Sequence, residues 1–93
     1  MELKIKSEEE FLKMISKAVS EKKIIVGTDR TLGLLEERKL KLVGISSNCL
    51  KETTEKIKKI AGETQVYQYS GTNVDLGEKC RKPFNVAVVG VTR

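Results

Sequence analysis

Apolar residues along the chain switch repeatedly between a helical spacing and short continuous runs. Phe11, Leu12, Ile15, Ala18 and Val19 recur at helical intervals and predict a first helix over residues 7–20, with Ser7 and Glu10 placed as a capping box. Lys23-Ile24-Ile25-Val26 predicts a short strand, and Leu32, Leu34 and Leu35 carry a second helix over residues 28–37. Leu40, Leu42, Val43 and Ile45 mark a second strand, in which Gly44 permits close backbone approach. A third helix follows over residues 50–60, with Leu50, Ile57, Ile60 and Ala61 on one side and Gly62 as its stop. Residues 65–69 predict a third strand. Ser70-Gly71-Thr72 forms a turn, and Thr72 or Asn73 caps a short fourth helix to about Cys80. Pro83 interrupts the chain. The run Asn85-Val86-Ala87-Val88-Val89-Gly90-Val91 predicts a last strand inside the sheet.

Helices alternating with short apolar strands indicate an α/β fold, with helices on both faces of a central sheet. Ligands of such sheets sit in loops beyond the strand ends, often against helix N-termini. Three loops qualify: residues 27–31, 46–49 and 81–86. The first two follow strands. The third precedes the last strand, so it shares their end of the sheet only if that strand runs antiparallel to theirs.

Composition narrows the chemistry. Ninety-three residues imply one domain with one modest core, 39% hydrophobic and only 4% aromatic, so that core is expected to rest on Val, Ile, Leu and Ala. No apolar run approaches the roughly 20 residues of a membrane span, and the first residues lack a signal-peptide core. A cytoplasmic chain without membrane contact is expected. Histidine is absent, and with it most acid–base and triad chemistry. Neither phosphate-loop nor dinucleotide motif occurs, so no enzyme and no cofactor are expected. Cys49 and Cys80 are the whole thiol inventory. Without a CxxC they cannot form a zinc site, and they read as small hydrophobes, with a thiol-dependent enzyme the remote alternative. The net charge of +5 favours an anionic partner, nucleic acid first, against a merely lysine-rich solvated surface.

The order of the loops carries a resemblance. "KIIVGTDRT" (residues 23–31), "KLKLVGISSN" (39–48), "VYQYSGTNVDLG" (66–77) and "CRKPFNVAVVGV" (80–91) together resemble the family of ribosomal protein thirty of the archaeal and eukaryotic large subunit. That family sits in the kink-turn RNA-binding superfamily beside the archaeal ribosomal protein seven-Ae. The resemblance implies a three-layer α-β-α sandwich with a mixed four-stranded sheet. It also implies binding to a kink-turn, a sharply bent internal loop stacked on sheared G·A pairs, in ribosomal RNA. Other ribosomal proteins would be neighbours, and the protein would be a monomer outside the ribosome. RNA loops and bulges splay out bases that regular A-form helices hide.

Roles follow from the matched positions. Gly27 would let the backbone approach RNA. Arg30 would fork onto guanine or phosphate, or stay a solvated helix charge. Thr28 and Thr31 would offer hydroxyls or cap the helix. Asn48 would donate and accept at a base edge, or form a turn. Ser46 and Ser47 fall where the family has small residues. Phe84 would stack on a flipped base or lie in the core, and Val86 would form a neighbouring apolar wall or be buried in the sheet. Arg81 and Lys82 would meet phosphates or remain solvated. Asp29 departs from the family pattern; facing RNA it would accept a hydrogen bond from a guanine, or it would cap the second helix, the cap being slightly favoured. Arg30 and Gly33 depart from the seven-Ae branch. Two other readings share the fold: a kink-turn protein of a non-ribosomal guide-RNA particle, and a protein-interaction module without RNA binding.

Overall fold

The computed structural model describes residues 5–93. Its elements are α1 (Glu8–Ser20), β1 (Ile24–Val26), α2 (Thr28–Glu36), β2 (Leu40–Ile45), α3 (Lys51–Ala61), β3 (Gln65–Gln68), α4 (Asn73–Lys79) and β4 (Val88–Thr92). The strands form one sheet in the order β1-β4-β2-β3. β4 runs antiparallel to both neighbours, and β2 pairs parallel with β3. The sheet is therefore mixed, and the antiparallel last strand starts at the end where β1, β2 and β3 finish.

Two apolar layers hold the sandwich. Phe11, Ile15 and Ala18 of α1 pack with Leu76 of α4 on Leu42, Val89 and Val91 of the sheet. Leu32 and Leu35 of α2 pack with Ile57 and Ala61 of α3 on Leu40, Val43, Ile45 and Val88. Simple alternation would place Leu40 and Leu42 on one face. The register shifts between them, so Leu40 lies opposite Thr92 while Leu42 lies opposite Val91. This bulge at Lys41 sends the two leucines to opposite layers.

The aromatics are less evenly spread than their scarcity suggested. Phe11 stacks on Tyr67, with ring centroids 4.7 Å apart, and lies 5.6 Å from Tyr69. Gly44 lies beneath the Phe11 ring, where a Cβ would approach to 2.6 Å. Three of the four aromatics thus centre one layer, and Phe84 alone is left outside.

Local signals explain the element ends. The Ser7 hydroxyl accepts from the Glu10 N–H at 3.2 Å, while the Glu10 carboxylate accepts from the Lys6 N–H, one residue before the expected box partner. Thr72 closes a full capping box with Asp75 at the start of α4. Two expectations change. Leu50 is not on the buried side of α3 but precedes it, 73% exposed. The last strand starts at Val88 rather than residue 85, because Val86 and Ala87 spend their backbone groups on neighbouring loops.

Candidate nucleic-acid interface

Four connections meet at the shared end of the sheet, and backbone hydrogen bonds tie them together. The Gly27 N–H donates to Val88 at 3.1 Å, and the Ser46 N–H donates to Ala87 at 2.9 Å. The Ser47 N–H donates to Gly71 at 2.9 Å, and the Val86 N–H donates to Asn73 at 3.0 Å. The three loops expected from sequence therefore converge, joined by the β3–α4 turn.

Gly27 is the N-cap of α2 at φ 106°, ψ 145°, a conformation open to glycine alone. Nothing lies within 4 Å of the place its Cβ would occupy, so backbone conformation, not crowding, demands the glycine. The same open space leaves the first N–H groups of α2 accessible, with no side chain capping them. This corrects the reading of Asp29 as a cap. It lies exposed in the first turn, where a carboxylate favours the positive end of the helix. Thr28 is half-buried and is not the cap either. Arg30 is exposed, with no carboxylate within 4.0 Å among the described residues.

Three expected contact residues lie inside the protein. Thr31 is fully buried, its methyl group turned to Gly90 and its hydroxyl without a partner among the described residues. Val86 is a core residue of the α1–α4 layer. Ser46 is buried, its hydroxyl donating to Asn48 Oδ1 at 3.0 Å. The side chains of Thr31, Ser46 and Val86 thus support the loops from below instead of facing a ligand.

Asn48 is exposed, yet most of its amide is engaged. Oδ1 accepts from Ser46 Oγ at 3.0 Å and from the Asn73 N–H at 2.9 Å, and Nδ2 donates to Asn73 Oδ1 at 3.0 Å. Both acceptor positions are filled, so one N–H remains for a ligand. The expectation that Asn48 both donates and accepts at a base narrows to that one donor. Its partner Asn73 links three connections at once, a role the sequence reading missed. The signal was the Gly71-Thr72-Asn73 step, which reads in sequence as a turn, a cap and part of the family-like motif over residues 66–77, with no site role for Asn73.

Phe84 is 54% exposed, which settles it as a surface ring rather than a core one. Its carbonyl presses on α4 at Gly77, where a Cβ would come within 2.3 Å of the Phe84 oxygen. Among the described residues Leu50 and Val74 are the other large exposed apolar residues; Leu50 precedes α3 two residues after Asn48, and Val74 follows Asn73 in the first turn of α4. Helical spacing assigns Leu50 to the buried side of α3, and no periodic pattern marks Val74. Ser47, Arg81 and Lys82 are exposed at the same end. Cations and carboxylates nearly balance on these connections and the helix starts beside them: Arg30, Lys51, Arg81 and Lys82 against Asp29, Glu52, Asp75 and Glu8, whose carboxylate accepts from the Ser70 N–H.

Burial pushes the Cys80 thiol up to about 11, only partly offset by Lys82, so it stays protonated at neutral pH. No group of three or more metal-ligating side chains occurs among the described residues.

Comparison with known proteins bears on what this surface is for. The model of the Ribosomal protein L7Ae/L30e/S12e/Gadd45 family matches residues 9–93. The large ribosomal subunit protein eL30 of Methanosarcina mazei is 35% identical over 85% of this chain and 75% of its own length. The protein of the same name from Methanothermobacter thermautotrophicus is 41% identical over 77% of this chain and 76% of its own. Among solved structures, a 15.5 kDa RNA-binding protein of Giardia lamblia superposes with a TM-score of 0.82 at 16% identity, covering 100% of this chain and 80% of that one. A Bacillus halodurans protein of unknown function superposes at 0.80 with 21% identity, covering 89% and 84%.

Proposed function

Since the chain belongs to the Ribosomal protein L7Ae/L30e/S12e/Gadd45 family, we propose that it is a non-enzymatic, RNA-binding component of the large ribosomal subunit that grips a kink-turn of ribosomal RNA with the loop end of its sheet. The observation carrying this reading is the hydrogen-bonded convergence of the Gly27, Asn48 and Phe84 connections at one end. The curated relatives are named as large-subunit proteins, which supports the ribosomal setting and a cytoplasmic location.

The chemistry suits a bent RNA with extruded bases. The bare N-terminus of α2 offers N–H donors to a phosphate or a base edge. Arg30 offers a planar fork for guanine O6/N7. The Phe84 ring, with Leu50 and Val74 nearby, offers an apolar platform for an unstacked base. Because charge at this end is nearly balanced, affinity there rests on base contacts and shape more than on ion release, and a shallow salt dependence is expected.

Arg30→Ala and Phe84→Ala should each weaken binding to a kink-turn hairpin by about 1–3 kcal/mol while leaving thermal stability near the parent value. Gel-shift titration at fixed salt measures the first, thermal melting the second. Unchanged affinity in both variants would remove these residues from the site. Sequencing of RNA crosslinked to the protein in its own cells tests the setting: ribosomal RNA supports it, and guide RNA would move the protein to a different particle.

A further inference from the structure

Several lysines and arginines gather at the end of the sheet opposite the loops, beside Glu21 and Glu37, which approach Lys23 and Lys39 to 4.0 and 3.2 Å. Register brings Lys23, Lys39, Lys41 and Arg93 together there. The Lys23 carbonyl accepts from the Thr92 N–H at 2.9 Å, and the Lys39 carbonyl accepts from the Arg93 N–H at 3.0 Å. Within this region Lys17, Lys23 and Lys41 rim a slight surface cleft between α1 and the sheet, over Met14 and Val91. It is too tight to admit a water molecule, so the ammonium groups at its rim, not an open cavity, form the candidate site. The three lysines come from three separate segments: the last turn of α1, the residue before β1, and the bulge of β2. Among the described residues Glu21 is the only carboxylate lining the cleft, and its contact with Lys23 is long, at 4.0 Å. Lys17 and Lys41 have no carboxylate within 4.0 Å among the described residues.

Lys17 also benefits from the negative end of α1, which accounts for one ammonium group without any ligand. That explanation does not reach Lys23 or Lys41, which are on no helix. Three ammonium groups around one cleft repel one another, and an anion lodged among them removes the repulsion. The arrangement contains no aromatic face and no exposed amide for reading a base. It recognises phosphate, not sequence.

We propose that this cleft seats backbone phosphates of a second RNA segment at its rim, so that the protein bridges two parts of one folded RNA from opposite ends of its sheet. The inference rests on the RNA-binding reading above but concerns the other pole of the molecule. Fixation of two segments gives the protein a scaffolding role that the loop end alone does not provide.

The test uses the full chain, a duplex RNA lacking any kink-turn, and a kink-turn hairpin, with binding followed over a series of salt concentrations. Lys17→Gln/Lys23→Gln/Lys41→Gln should weaken duplex binding about tenfold or more and lower the slope of log K against log salt by about two to three. Hairpin binding should change little. Lys6→Gln/Lys13→Gln/Lys56→Gln removes the same charge elsewhere and should cost far less, while the three arginine substitutions in the cleft should retain binding. Duplex affinity unchanged in the cleft variant, or lowered as much by the control variant, overturns the proposal. Immobilised hairpin should also capture labelled duplex only when the parent protein is present, and failure of that capture overturns bridging. If the parent ignores the hairpin but still needs the cleft for duplex binding, the loop-end reading falls and the cleft stands.

Discussion

Gly27 shows how much a single residue decides. At φ 106° and ψ 145° any L side chain is strained although space is available, so Gly27→Ala should lower stability by about 1–3 kcal/mol, measured by urea denaturation. An unchanged midpoint would mean that the turn relaxes without cost. Thr31 is the converse case. Its buried hydroxyl has no partner, and Thr31→Val keeps the shape while removing the orphaned group. That substitution should stabilise the fold by about 1 kcal/mol, and a lower melting temperature would show that the hydroxyl is bonded in solution. Asn48 differs from both. Because it clamps Ser46 and Asn73, Asn48→Ala should cost stability and RNA affinity together, so loss of binding in that variant does not by itself identify a base contact.

At the scale of elements, helix ends account for much of the organisation. α1, α2 and α4 each end on a left-handed residue that is not glycine: Lys22 at φ 58°, Arg38 at φ 60° and Arg81 at φ 58°. In each, the next residue's N–H reaches back five positions, as from Lys23 to Ala18 at 2.8 Å. A cation there suits the negative helix end but carries the steric cost of a side chain at positive φ. Lys22→Gly should therefore raise stability by about 0.5–1 kcal/mol, visible as a higher urea midpoint with unchanged slope. Arg38 has a further task. Its Nη1 donates to the Ile60 and Ala61 carbonyls at 3.1 and 2.9 Å, closing the end of α3 from α2. Arg38→Ala should cost about 1 kcal/mol and speed amide exchange at the last turn of α3 before that of α1. Arg38 stands beside Lys39 and Lys41 in a basic stretch of the sequence. Folding commits its side chain to a helix end far from the loops.

The whole molecule sets the response to alkaline pH. Burial raises the ionisation of Cys80 from 9.0 to about 11, and Tyr69 is also raised, by burial first and then by Glu8, Asp75 and Glu78. Between pH 9 and pH 11 the unfolded chain gives up the cysteine proton while the folded chain keeps it. Stability is therefore undiminished below pH 9 and falls as pH rises, by up to about 1.4 kcal/mol per pH unit for a fully shifted group. Cys80→Ala should start lower, because it leaves a cavity, but lose less between pH 9 and pH 10.5. Parallel curves for parent and variant would show that the thiol contributes nothing to the slope.

Periodicity made the eight elements legible, because helix and strand leave different spacings of apolar residues within a few turns of the chain. Ser7, Thr72 and Gly62 marked boundaries for the same local reason. The order of the four loop motifs pointed to the family and to three of the connections that meet. Sequence could not say which layer each apolar residue joins once the bulge at Lys41 breaks alternation, nor that Phe84 and Leu50 would be left outside. Only the tertiary structure engaged the Asn48 amide, buried Thr31 and Val86, and gathered Lys17, Lys23 and Lys41 at the end away from the loops. Those outcomes depend on partners far away in the chain, brought together by the antiparallel β4 at the centre of the sheet. No local spacing encodes such a partnership.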